Sequence, residues 1–227
     1  MIGRRIDGAG REVDLLAEYP RTQRDVETRA AEKTEADREV ARRFDKDFFD
    51  GDRRHGYGGF TYHPRYWQPV VPAFQSYYGL TGGSSVLDVG CAKGFMLNDF
   101  KELIPGISVS GVDVSEYAIG CANATIQPHL QVADARCLPF GDGSFDLVVA
   151  VNTIHNLDRD GVVEALAEVE RVSRRYAYVT VDAFRGEEEK KRMLEWNLTA
   201  KTILSDLEWV ELFEEAGYTG DYYWFIP

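Results

Sequence analysis

Cysteine is scarce, positive charge is outweighed, and no hydrophobic run is long. Only Cys91, Cys121 and Cys137 occur in 227 residues. So few thiols, odd in number, argue against a disulfide framework and for a reducing compartment. The formal net charge is −12, which counts against nucleic acid as a partner, because phosphate backbones reward clustered Lys and Arg. The first twenty residues carry Arg4, Arg5, Asp7, Arg11, Glu12 and Asp14 without an apolar segment, so no signal peptide is legible. The longest strongly apolar stretch, 147–151, is far too short to span a bilayer. No His, Cys and carboxylate cluster has metal-ligand spacing. The expectation is a cytoplasmic protein with no metal and no membrane or nucleic-acid partner. What is present is enough apolar residue for a core, 44%. The length suits one α/β domain with an elaboration, or two small domains.

Residues 1–20 read as irregular, broken by Gly3, Gly8 and Gly10 and stopped at Pro20. Residues 21–50 are charge-rich and free of Gly and Pro, which predicts one long helix. Asp25/Arg29 and Glu39/Arg43 are i,i+4 pairs in the favourable orientation, and Val40, Phe44 and Phe48 form a narrow apolar stripe. Such a helix is either docked and solvated, or a lid or dimer arm; a monomer and a homodimer are both open. Residues 51–68 interleave glycines with His55, Tyr57, Phe60, Tyr62, His63, Tyr66 and Trp67. That mixture predicts an ordered loop packed across a surface.

From residue 84 onward the pattern alternates. Strand-like runs at 84–89, 107–112, 129–132, 145–151 and 176–182 are separated by helical runs at 95–104, 115–123, 160–171 and 187–203. The near-continuous apolar strands predict a Rossmann-like, doubly wound α/β fold whose mostly parallel sheet is covered on both faces. A helix at 206–216 ends at Gly217, and 221–226 is a last strand candidate. The implied division is an N-terminal extension, 1–70, and a ligand-binding domain, 71–227.

Residues 86–100, VLDVGCAKGFMLNDF, describe a buried strand, a glycine turn and a helix. Glycine tolerates positive φ and brings backbone close to a ligand, and the helix presents unpaired N–H groups there. A dinucleotide fingerprint would require G-x-G-x-x-G. Here the acid, Asp88, precedes Gly90, Ala92 stands where a second glycine would, and the helix offers no glycine at the third position. That order disfavours a pyrophosphate, and with it NAD. Asp113 ends the second strand, where a carboxylate can take both ribose hydroxyls, or simply cap the next helix beside Ser115. Asp134 follows the third strand, where it can accept from an exocyclic amine.

In order and spacing, VLDVGCAKG, GVDVS, ADARCLPF and GSFDLVVAVNTIHNL resemble the successive motifs of class I S-adenosylmethionine-dependent methyltransferases, nearest to the small-molecule "type 11" branch. The resemblance implies a seven-stranded sheet of order 3-2-1-4-5-7-6. It places Asp88, Gly90 and Gly94 around the methionine moiety, Asp113 on the ribose, and Asp134 with Ala135 at the adenine. Cys91, Val114 and Asn152 complete the expected cofactor contacts. Only ten residues follow Gly217, so the last strand is expected to be short or missing.

The loop after the fourth strand, Asn152-Thr153-Ile154-His155-Asn156, is expected to face the methyl group. His155 is the candidate general base, oriented by Asp158 or Asp182; otherwise it is a buried hydrogen-bonding residue. The Asn-Pro-Pro-aromatic stretch of nucleobase methyltransferases is absent here. Tyr57 and Gly58 are expected near the methionine end. Arg53, Arg54 and His63 suggest a small acceptor bearing a carboxylate or phosphate, or else pair with the acidic helix. Trp196 walls the acceptor pocket or packs in the core. The expected activity is methylation of an O or N atom of a small metabolite, with a non-catalytic cofactor-binding protein as the alternative.

Overall fold

The computed structural model describes residues 10–20, 33–58 and 60–227. The Asp25/Arg29 pair and the reading of residues 1–9 lie outside these. Seven strands form one sheet: β1 (Ser85–Val89), β2 (Ser108–Asp113), β3 (Leu130–Val132), β4 (Phe145–Val151), β5 (Ser173–Phe184), β6 (Leu204–Ser205) and β7 (Asp221–Phe225). Their order is β3-β2-β1-β4-β5-β6, with β7 also on β5, and every pairing is parallel.

The central strands are buried on both sides, which is why they read as apolar runs. Val86, Leu87, Leu147, Val148, Val149 and Ala150 have no exposed surface. On one face lie α6 (Arg159–Val172) and α8 (Asp206–Glu215), which contribute Ala165, Leu166, Val169, Trp209 and Leu212 to the core. On the other lie α3 (Val71–Tyr78) and α4 (Phe95–Leu103), with Phe74, Tyr78, Leu97 and Phe100. The remaining helices are α1 (Glu35–Ala41), α2 (Lys46–Asp50), α5 (Glu116–Gly120) and α7 (Glu187–Trp196). Among the described residues no helix is long and apolar enough to cross a membrane.

Two helical segments depart from the sequence reading. The described part of the long helix over 21–50 is two helices. Thr34 and Asp37 form a capping box that starts α1, and the Asp45 side chain caps α2 by accepting from the Asp47 N–H. Between them Phe44 sits at φ 51°, a left-handed conformation that no continuous helix accommodates. The helix expected over 187–203 stops at Trp196. There Asn197 folds the chain onto itself, Oδ1 accepting from Ala200 N–H (2.8 Å) and Nδ2 donating to Ala200 O (2.9 Å), a local alternative to helical bonding.

The last strand is present, five residues long and registered against 178–182 of β5. The N-terminal segment bridges to it in place of a hairpin partner. Val13 N–H donates to Tyr222 O (2.9 Å), and Tyr222 N–H donates to Arg11 O (3.0 Å). Backbone groups of β7 are thereby paired at this edge.

Candidate active site

The carboxyl ends of β1 and β2 are fastened by backbone. Gly90 and Cys91 N–H both donate to Val112 O, at 2.7 and 3.0 Å. The turn is possible because Gly90, Ala92 and Gly94 take φ of 82°, 50° and 73°. A Cβ at Gly90 would collide with the Thr153 side chain, so the turn after β1 and the loop after β4 touch without room for another atom. Gly94 precedes α4, whose first N–H groups face the turn. The Cys91 side chain lies in the core below.

Asp113, 8% exposed, accepts from Ala92 N–H (2.8 Å) through Oδ2 and from Ser115 N–H (2.9 Å) through Oδ1. Burial raises its pKa while these backbone donors oppose the rise. Asp88 is deeper, and burial, then the charge of Asp113, push it up to about 8. Val114 exposes about half its apolar surface beside them. After β3, Asp134 is held by Arg136 (Nη2 to Oδ2, 2.6 Å), which lowers its pKa, and Ala135 is buried next to it. Thus Asp88, Asp113 and Asp134 stand at or just after the carboxyl ends of three neighbouring strands, β1, β2 and β3, beside a turn packed closely at Gly90 and Gly94. That arrangement fits an uncharged sugar and base better than a pyrophosphate.

The loop after β4 is anchored to β5. Asn152, at φ 52°, donates its N–H to Thr180 O (3.1 Å) and accepts from Thr180 Oγ1 (2.9 Å). His155 is 4% exposed, its Nδ1 accepts from the Asp182 backbone N–H (2.9 Å), and its own carbonyl accepts from Lys201 and Thr202 N–H. Burial lowers its pKa, opposed by the Asp182 carboxylate 3.7 Å away. This geometry is that of the alternative reading, a buried hydrogen-bonding residue. The lone pair of the neutral ring is engaged by a backbone donor, so the other nitrogen carries the proton and can only donate. His155 is a fastening between loop, strand and the segment 197–202.

Of the loop residues, Tyr57 reaches the site. Its Oη accepts from Leu198 N–H (2.8 Å), and its ring lies 5.8 Å from that of Trp196, which in turn lies 6.4 Å from Phe225. Burial and the charge of Asp182 raise the Tyr57 pKa. Tyr57 and Trp196 therefore meet on the β5 side. Arg53, Arg54, Gly58 and His63 are exposed. The Arg53 guanidinium donates to Tyr57 O and crosses over Gly58, Arg54 pairs with Asp52, and His55 with Asp37. His63 accepts from Arg65 N–H. Much of the positive charge offered to an anionic acceptor is thus engaged within the extension.

Sequence reasoning missed the residues that hold the extension in place. Lys33 Nζ donates to the carbonyls of Glu195, Trp196 and Asn197 at 3.1, 2.6 and 3.1 Å, capping α7. Asp50 accepts from Lys93 Nζ (2.7 Å) and Tyr117 Oη (2.7 Å). A cluster of Ala41, Phe48, Phe49, Ala118 and Leu198, joined by Phe60, Ala92 and Tyr117, closes the same end of the sheet. No local motif marks these partners.

Residues 86–175 match the family described as "Methyltransferase domain". Among curated proteins the chain is 35% identical over 96 residues to O-methyltransferase cnsE of Penicillium expansum, covering 39% of this chain and 35% of the relative. It is 30% identical over 149 residues to 27-O-demethylrifamycin SV methyltransferase of Amycolatopsis mediterranei (strain S699), covering 61% and 55%. The chain thus spans less than two thirds of the length of these relatives. Among solved structures, the [4+2]-cyclase SpnF aligns with a TM-score of 0.53 at 21% identity, over 66% of this chain and 57% of that one. That likeness concerns the fold alone.

Proposed function

We propose that the chain, which matches a methyltransferase domain over residues 86–175, is a class I S-adenosylmethionine-dependent methyltransferase that methylates an oxygen of a small metabolite. The observation that carries the reading is the buried Asp113 carboxylate stitched to the glycine turn, with Asp88 beneath and Val114 exposed beside it. S-adenosylmethionine supplies a methyl group on a positively charged sulfur. Asp113 would accept from its ribose, the turn 90–94 would face its methionine end, and Val114, Asp134 and Ala135 would flank its base. The choice of oxygen over nitrogen leans on the relatives named as O-methyltransferases.

The chain's own part is positioning: the acceptor is a phenol-type hydroxyl that gives its proton to water, its oxygen takes the methyl, and the sulfur departs as the neutral thioether S-adenosylhomocysteine. Holding two reactants in line accounts for a large share of such a barrier, roughly 7–11 kcal/mol in well-oriented cases. His155 and Asn152 fix the loop that faces the acceptor, while Tyr57 and Trp196 give it an aromatic wall. An acceptor with a planar, weakly charged body fits that wall better than a phosphate.

Calorimetric titration with S-adenosylhomocysteine tests the donor half, and absence of binding at millimolar ligand sinks it. Asp113→Ala is expected to weaken binding by about 1.5–3 kcal/mol, the worth of a charge-assisted contact. Transfer of labelled methyl to a panel of hydroxylated aromatics tests the acceptor half. Binding without any turnover would favour the non-catalytic alternative.

A further inference from the structure

We propose that Asp50 is a positioning residue that latches the extension across the donor site and sets how long the donor or its product stays bound. The inference rests on the methyltransferase reading. Asp50 is the last residue of α2, and its carboxylate is shared by two elements flanking the donor turn. Lys93, between Ala92 and Gly94, reaches it at 2.7 and 2.8 Å; Tyr117, on the helix that follows Asp113, reaches it at 2.7 Å.

The ammonium of Lys93 is nearly removed from water, its side chain 8% exposed against 33% for Asp50. A charge so placed is strongly unfavourable without its partner. Lys93 and Tyr117 in turn draw the Asp50 pKa down, so the carboxylate stays ionised at neutral pH. Around this ion pair Phe48, Phe49 and Phe60 pack with Ala92, Ala118 and Tyr117. A ligand held against the glycine turn and Asp113 would therefore lie beside the extension, and on this proposal its passage in or out parts the Asp50 contacts. Lids of this kind commonly govern product release.

The test is the release rate of radiolabelled S-adenosylhomocysteine chased by excess unlabelled ligand, beside equilibrium affinity and the melting temperature of the ligand-free protein. Asp50→Ala and Lys93→Met are each expected to speed release at least tenfold. The double variant should be no faster than either single one, because both remove the same contact. Tyr117→Phe, which leaves the ion pair, should change release about threefold and keeps the question answerable if Asp50→Ala does not fold. The exchanged pair Asp50→Lys with Lys93→Asp should recover part of the slow release. Release from Asp50→Ala or Tyr117→Phe at the wild-type rate, whatever happens to melting, overturns the latch alone. Wild-type protein that binds no S-adenosylhomocysteine overturns the methyltransferase reading and the latch with it.

Discussion

Two regions at the carboxyl edge of the sheet do neighbouring jobs by opposite means. The donor cradle is built from backbone within a short span: Asp113 and Ala92, its signature pair, are 21 residues apart. The side proposed for the acceptor is closed by side chains of the extension gripping backbone far along the chain. Lys33 and Trp196 are separated by 163 residues, Tyr57 and Leu198 by 141. The cradle is rigid because strand ends and glycine dihedrals determine it. The cover depends on a few polar anchors and one aromatic cluster, so it is the part expected to open and to vary with substrate.

The sharpest way to break the cradle is Gly90→Ala. The new methyl would meet Thr153 and sit at positive φ. A loss of roughly 2–4 kcal/mol is expected in urea unfolding, combining left-handed strain with overpacking. If stability is unchanged, the contact between the two loops is not tight.

Asp88 offers a second test through pH. Its folded pKa of about 8 lies above its ordinary value, so between these limits the folded state binds the proton better. Stability from this group is therefore lost as pH rises toward 8. Ligand-free Asp88→Asn should become progressively more stable than wild type between pH 5 and 8, by up to about 1.4 kcal/mol per pH unit. Parallel melting curves would show that Asp88 is not buried as described.

The cover should respond differently. Lys33→Met and Tyr57→Phe each remove the partner of a backbone group, at a cost of about 1–3 kcal/mol. Faster amide exchange is expected at Leu198 and Thr199 in Tyr57→Phe, with Asp113 and Ala92 protected as before. Equal loosening of the donor turn would dissolve the distinction between the two regions. The smallest effect belongs to Ala92→Gly. Relief of its φ of 50° competes with greater freedom in the unfolded chain, leaving a net change under about 1 kcal/mol.

The glycine turn, Asp113 and the parallel sheet were legible because each is a local consequence of residue type: apolar runs make buried strands, and glycines permit the turn. The donor contacts assigned to them stand as part of the proposal. His155 stood open between a general base and a buried hydrogen-bonding residue, because its residue type suits both. What favours the second is a backbone N–H from β5, brought to Nδ1 by parallel pairing. Helix 187–203 was drawn too long for a related reason, since its end is set by Asn197 and by Lys33 from across the chain.

By itself, then, the sequence determined the layers of the fold and the turn that suits a nucleoside-bearing ligand, since strand periodicity and backbone dihedrals are properties of neighbouring residues. Only the tertiary structure decided that His55 pairs with Asp37 while Lys33 reaches across to α7, that the N-terminal segment bridges to β7, and that Asp50 bonds to Lys93 of the glycine turn. Those depend on which distant groups can satisfy buried charges and backbone donors, and no local pattern records that choice.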